Sequence, residues 1–239
     1  MALEIRVRFP VSTQKLNMRI GVIIPNRGDR PKMTANILKQ MDEQSVRGVG
    51  ELVIAHVNFH PKHSGYDITE RYIDGYNQLR GKGIDMIACI ENDDWYHPDY
   101  LLECFEQFEK LRRPELLGIE YTYYYHLKMR FYFKYLHAGR ASMMCTCLKP
   151  DIEISWPDPK ERFTDMWLWT RNEKPPFFTN KKFWTPDKPM AIGMKGHMEG
   201  KFGGTGHDNK MHRYVIPDNG FLKDNLSEEQ FNFFNNFSL

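Results

Sequence analysis

The stretch Ile84-Asp85-Met86-Ile87-Ala88-Cys89-Ile90 ends abruptly in Glu91-Asn92-Asp93-Asp94, followed by Trp95-Tyr96-His97-Pro98-Asp99-Tyr100. The apolar run reads as a buried strand. Its acids then fall where the strand leaves a sheet, at the carboxyl end, where open α/β sheets bind ligands. Glu91 and Asp93, two positions apart, offer hard oxygen ligands to one Mg2+ or Mn2+ ion. An ion held that way binds a diphosphate and neutralises its charge as it leaves. An isolated acidic triplet has a plainer explanation, a turn capping the next helix, with Asp94 before Trp95 in that part. The context around the triplet favours the metal.

That context is an alternation of strands and helices. Residues 1–18 read as an extra strand, EIRVRF, or an arm. Ile20–Ile24 is a short apolar strand ending at Pro25-Asn26-Arg27-Gly28-Asp29-Arg30-Pro31, and Pro31 fits the first turn of a helix running to about Gln44. Met33, Ile37, Leu38 and Met41 are spaced to bury one face of it. A strand over Glu51–Val57, a helix around Thr69–Leu79, the acid-tipped strand and a helix from Pro98 to before Pro114 follow. The last of these turns Leu101, Leu102, Phe105 and Phe108 inward. This order predicts a mostly parallel, Rossmann-like sheet with helices on both faces.

The second half reads differently. Leu117–His126 and Ala141–Leu148 look like strands flanking the basic and aromatic stretch KMRFYFKYLHAGR. Asp165–Thr170 looks helical. Residues 193–206, GMKGHMEGKFGGTG, read as a glycine-rich loop, and Ser227–Phe237 as a terminal amphipathic helix with Ser227 as its N-cap.

A length of 239 residues with 41% hydrophobic content suffices for one sizeable core, and no repeat or low-complexity linker divides it. One domain over 1–239 is expected. The formal charge of +2 predicts no strong electrostatic partner, yet leaves room for a local basic patch. Cys89, Cys145 and Cys147 lie in apolar runs and read as small core residues; with Cys104 they match neither zinc nor disulfide spacing. The N-terminus lacks the apolar core of a signal peptide, and no segment approaches the ~18 apolar residues of a transmembrane span. A soluble, cytoplasmic protein is expected.

Four passages in this order resemble the family 2 glycosyltransferases, nucleotide-sugar-dependent enzymes of GT-A fold. IGVIIPNRGDRPKMTANILKQMDEQS is similar to that family's first strand, loop and helix. Tyr76-Asn77 followed by Gly83-Ile84-Asp85-Met86-Ile87 is similar to its third-strand approach. ENDDWYHPDYL resembles its DXD-like metal segment, and Phe163-Thr164-Asp165-Met166-Trp167-Leu168-Trp169 its Glu-Asp-x-x-Leu-Trp segment. The resemblance spans 19–170 and implies a GT-A-like domain, with 19–115 the nucleotide-sugar-binding half. Residues 116–239 are then a smaller, mixed acceptor side with a glycine-rich lid and a C-terminal helix.

The implied chemistry is metal-dependent, inverting transfer of a hexosyl or pentosyl group from a nucleotide diphosphate sugar to a hydroxyl. Asp93 would ligate the metal, with Glu91 beside it. Asp165 would be the general base, although an Asp before Met-Trp-Leu-Trp also suits a helix N-cap. Pro25, Arg27 and Arg30 would line the nucleotide pocket, where arginines meet base or phosphate, or else be ordinary loop residues. Asn92 would contact ribose or serve the turn. In the late loop His207 is the candidate to complete the metal shell, in competition with His197 and His212, and Lys210 or Arg213 would meet the diphosphate.

Two departures from the family matter. Its second strand usually ends in an acid that contacts the base, whereas here the stretch is Ala55-His56-Val57-Asn58-Phe59 and the nearest acid is Asp67. Glu91 replaces the first Asp, and Thr164 stands where Glu is common. Trp156, Trp167, Trp169, Phe177, Phe178 and Trp184 either shape an acceptor cleft or pack the core, with Trp167 read as core. The acceptor reads as a glycan, or as a hydroxymethylated base in DNA if the cations Lys128, Arg130, Lys134 and Arg140 form a nucleic-acid patch. The competing function is a non-catalytic module binding a nucleotide or polymer. A nucleotidyltransferase is the third reading, but no glycine-rich nucleotide loop follows the first strand.

Overall fold

In the computed structural model the described residues are 18–59, 65–170, 175–200 and 215–238. The strands are β1 (Met18–Asn26), β2 (Gly50–Asn58), β3 (Met86–Cys89), β4 (Trp95–Tyr96), β5 (Leu116–Ile119), β6 (Tyr121–His126), β7 (Phe131–Leu136), β8 (Thr146–Leu148), β9 (Lys181–Trp184), β10 (Ala191–Lys195) and β11 (Ile216–Pro217). The helices are α1 (Pro31–Asp42), α2 (Ile68–Leu79), α3 (Tyr100–Lys110), α4 (Thr164–Thr170), α5 (Phe221–Asn225) and α6 (Glu228–Asn235). The expected N-terminal strand EIRVRF lies outside the described residues.

The first sheet has the order β2-β1-β3-β8-β5-β9. β1 runs parallel to both β2 and β3, because α1 and α2 return the chain to the same edge each time. Side chains alternate across β1. Ile20, Val22 and Ile24 join the core under α1 and α3, while Ile23 joins the core under α2 and α4. Helices therefore cover both faces.

Three of the five pairings in this sheet are parallel, as expected of a mostly parallel sheet, but it is not purely so, and it is not the single sheet expected. β8 is antiparallel to β3 and to β5, so the first sheet is mixed. A second sheet, β11-β7-β6-β10-β4, stands beside it. The physical cause lies at Glu120. The run expected as one strand over Leu117–His126 breaks there into β5 in the first sheet and β6 in the second. β6 and β7 pair as a hairpin, and the chain comes back as β8 with its direction reversed. No crossover helix intervenes, so the return strand is antiparallel. For the same reason the expected strand over Ala141–Leu148 shrinks to Thr146–Leu148 after a short 3-10 turn.

All four cysteines are buried and free. Trp169 is buried, stacks on Phe183 at 4.7 Å and donates its indole N–H to Thr146 Oγ1 at 3.0 Å. Trp167 is only half-buried, with its indole N–H on the Ser155 carbonyl at 3.0 Å. Ser227 caps α6 by accepting from the Gln230 N–H at 3.3 Å. No helix among the described residues is long and apolar enough to cross a membrane.

Candidate functional site

The parallel pairing of Ile23 with Cys89 brings the carboxyl ends of β1 and β3 side by side. Asn26, the last residue of β1, ties the two loops together. Its side-chain oxygen accepts from Asn92 Nδ2 at 3.1 Å, Thr34 Oγ1 at 3.0 Å and the Gly28 N–H at 3.1 Å. Its amide nitrogen lies 3.1 Å from His56 Nε2 on β2. Asn92 is thus buried in the framework of the turn. Pro25 sits within β1 opposite Val57, one residue before this junction. Arg27 lies in the following loop, 3.7 Å from Asp29.

After β3 the chain turns through Glu91, Asn92, Asp93 and Asp94 into β4. α3 begins only at Tyr100, so neither Asp93 nor Asp94 caps it, and the helix-capping alternative is set aside. One potential ligand oxygen from each of Glu91, Asp93 and Asp94 lies within 4.8 Å of the others. Asp94 Oδ1 accepts from the Met194 N–H at 2.8 Å and lies 3.8 Å from Lys195 Nζ. Its Oδ2 is buried and has no hydrogen-bond partner among the described residues. Three clustered carboxylates, one with an orphaned buried oxygen, are a donor set that suits a hard divalent cation.

Asp93 is engaged from two sides. Its Oδ2 accepts from the Arg30 guanidinium and from His197 Nε2, the latter at 3.0 Å. His197 Nδ1 in turn accepts from the Glu199 N–H at 3.1 Å, which places the imidazole proton on Nε2. Burial works to raise the Asp93 pKa, but Arg30 and the His197 hydrogen bond hold it well below the usual carboxylate range. Glu91 goes the other way. Burial, and the neighbouring charges of Asp93 and Asp165 against that of Lys195, push it up to about 7. Burial would depress the Lys195 ammonium, but the three acids override it and raise its pKa.

Asp165 approaches from α4 and pairs with Arg140. It lies inside the first turn of a helix that starts at Thr164, so the N-cap alternative is corrected. Burial raises its pKa and Arg140 opposes the rise. Tyr72, on α2, completes the floor. Its buried hydroxyl has no hydrogen-bond partner among the described residues, and burial together with Glu91, Asp94 and Asp165 keeps it protonated. Asp67, the acid nearest the end of β2, is buried in an ion pair with Arg71 at 2.7 Å. Arg71 also donates to the carbonyls of Asn26 and Phe59, so this pair braces the loop ends.

Of the residues singled out in the sequence, the structure gathers Arg30, Glu91, Asn92 and Asp93 at one point, with Asp165 close enough to act on Glu91. His207, Lys210 and Arg213 lie outside the described residues, as does the competing His212. Among the described residues the histidine on Asp93 is His197, the other competitor. Lys195 and Asn26 are site residues that the sequence reading misses: the loop expected over 193–206 begins as strand, with β10 reaching Lys195. The signal for Lys195 is its strand-like alternation with His197 and Glu199 at the head of the glycine-rich run.

No protein-family model matches the chain, and no curated protein matches it. Solved structures do. S. aureus TarS 1-349 in complex with UDP-GlcNAc is similar at a TM-score of 0.51 and 11% identity, over 77% of this chain and 60% of that one. A second structure of S. aureus TarS gives 0.48 and 12%, over 73% and 36%. A197 from STIV gives 0.45 and 15%, over 70% and 82%. The first of these likenesses supports the fold alone: a mixed α/β, GT-A-like arrangement.

Proposed function

We propose that the protein is a divalent-cation-dependent, inverting glycosyltransferase that moves a sugar from a nucleotide diphosphate sugar to a hydroxyl acceptor. The observation that carries this reading is the acid cluster at the carboxyl end of β3, with a separate half-buried carboxylate, Asp165, acting on it electrostatically. UDP-GlcNAc, bound in the TarS complex, is the first donor to try.

Glu91 and Asp93 would hold the cation, with Asp94 behind them fixing the turn to β10. A cation there supplies charge neutralisation for the departing diphosphate. The chain's own groups do the rest. Arg30 and Lys195 put two more positive charges against the same region. Asp165 takes the proton from the acceptor hydroxyl. As it does so the acceptor oxygen bonds to the anomeric carbon, and that carbon's bond to the diphosphate oxygen breaks, with the electron pair leaving on the diphosphate. Pro25, Arg27 and Asn92 stand at the β1 and β3 ends where the nucleotide would lie.

The acceptor is a glycan hydroxyl in preference to a DNA base. Three of the four cations in the basic and aromatic stretch are engaged within the protein: Arg130 with Asp218 at 3.4 Å, Lys134 over the Tyr121 ring at 4.4 Å, and Arg140 with Asp165.

The test is thermal unfolding with nucleotide diphosphates and nucleotide sugars, each with and without Mn2+. A ligand at ~100 times its dissociation constant adds ~2.7 kcal/mol to a folded state that alone binds it. Mn2+-dependent stabilisation by one nucleotide, absent in Asp93→Asn, is the expected result. No stabilisation by any donor, in either condition, would remove the donor site and leave a binding module of another kind.

A further inference from the structure

We infer that Arg30 and the segment Gly196–Gly200 form a latch on Asp93, so that the protein's own guanidinium and an incoming divalent cation compete for one carboxylate. The inference rests on the metal-binding reading above.

Four contacts build the latch. Arg30 and His197 both donate to the same oxygen of Asp93. Glu199 accepts the N–H groups of Lys32 and Met33, one on each carboxylate oxygen, both at 3.1 Å. These are the first turn of α1, whose exposed amides and positive dipole end favour a carboxylate. Gly200 has φ +71, and a Cβ there would stand 2.7 Å from Arg30 Cγ and 2.8 Å from the Asp29 carbonyl oxygen. The backbone therefore lies flush on the stem of Arg30. At the other end Gly196 has φ +72, and a Cβ would stand 2.3 Å from the His126 ring. Between the two glycines the Met198 side chain is 67% exposed.

The geometry makes the four contacts interdependent. Lifting Gly200 and Glu199 off α1 frees the stem of Arg30 and withdraws His197 from Asp93. The opened state releases Asp93 from the guanidinium and leaves that positive charge beside it. The first suits a cation and the second suits a diphosphate. Both ligands therefore favour the same open state, and each strengthens the binding of the other.

The test is Mn2+ binding to the full chain, read from the electron paramagnetic resonance of free Mn2+ with no donor present, for the wild type, Arg30→Met, Glu199→Gln and Asp93→Asn. Unlatching should tighten Mn2+ binding by about tenfold or more in Arg30→Met, because the competent fraction rises. Glu199→Gln is the decisive arm. Removing a negative charge near a cation site weakens binding by simple electrostatics, whereas loosening the latch tightens it. Tighter binding in Glu199→Gln supports the latch, even if Arg30→Met fails to fold. Equal or weaker binding in Glu199→Gln, with binding abolished in Asp93→Asn, overturns the latch and leaves the metal reading standing. No Mn2+ bound by any form overturns both.

Discussion

Asp165 carries two opposed influences, and each gives a measurable consequence. Burial raises its pKa and the Arg140 guanidinium holds that rise in check. In the general-base role proposed for it, Asp165 must be ionised to accept the acceptor's proton. Asp165→Asn should keep donor binding while transfer falls by ~10²–10⁴-fold, the range a positioned base supplies; undiminished turnover would remove it from the reaction. Arg140→Gln should move the acidic limb of the transfer pH profile to higher pH, because the cation that favours the carboxylate is gone. The same shift governs stability. With a folded pKa above the usual 3.8, the group's contribution is full below that value and is lost as pH rises through the raised one. The candidacy of Asp165 is legible in the sequence because a single local segment contains it. Lys195 is not legible in that way and His197 only as one of three candidates, since their placing depends on the pairing of the Met194 N–H with Asp94, 100 residues earlier in the chain.

The elements that place these residues depend on contacts of differing kind. α1 begins at the acid site, and α6 crosses against it through a reciprocal amide pair. Asn36 Nδ2 donates to Gln230 Oε1, and Gln230 Nε2 donates to Asn36 Oδ1, both at 3.1 Å and both buried. Gln230→Ala strands two polar atoms of Asn36 and should cost roughly 1–3 kcal/mol in denaturant unfolding. Replacing both residues with leucine should cost less than the single change, since no buried polar group is then left unsatisfied; equal costs would mean the pair is wetted and not structural. The helix itself was legible from Ser227 and its SEEQ box, and the alternation from β1 to α3 from its apolar spacing. The break of β5 into β6 was not. Both halves are apolar enough to be strand, and nothing local at Glu120 says that the chain changes sheet there. That change is decided by the pairing of β5 with β8 and of β6 with β10, partners distant in sequence.

On the scale of the molecule, charge bears on the two proposed acceptors. Lysines and arginines number 33 against 31 acids, so no global field draws the chain to a polyanion. A nucleic-acid surface would need a local patch of free cations, and the stretch KMRFYFKYLHAGR supplied the sequence's best candidate for one. Three of its four cations have partners within the fold, at or near the surface. β7 takes Phe131–Leu136 into the second sheet, Arg130 also binds Asn235 at 2.8 Å, and Lys134 lies between two tyrosine rings. Lys128 alone of the four stays exposed without taking part in these contacts. Each phosphate neutralised on binding contributes about −0.9 to the slope of log affinity against log salt for duplex DNA. If this stretch is the whole contact surface, with Lys128 alone of its four cations outside these contacts, binding of a hydroxymethylated duplex, followed by fluorescence anisotropy across a salt series, should have a slope no steeper than about −1 and be weak throughout. A slope of about −3 or steeper would require a basic surface elsewhere on the chain, and would move the acceptor from glycan to nucleic acid.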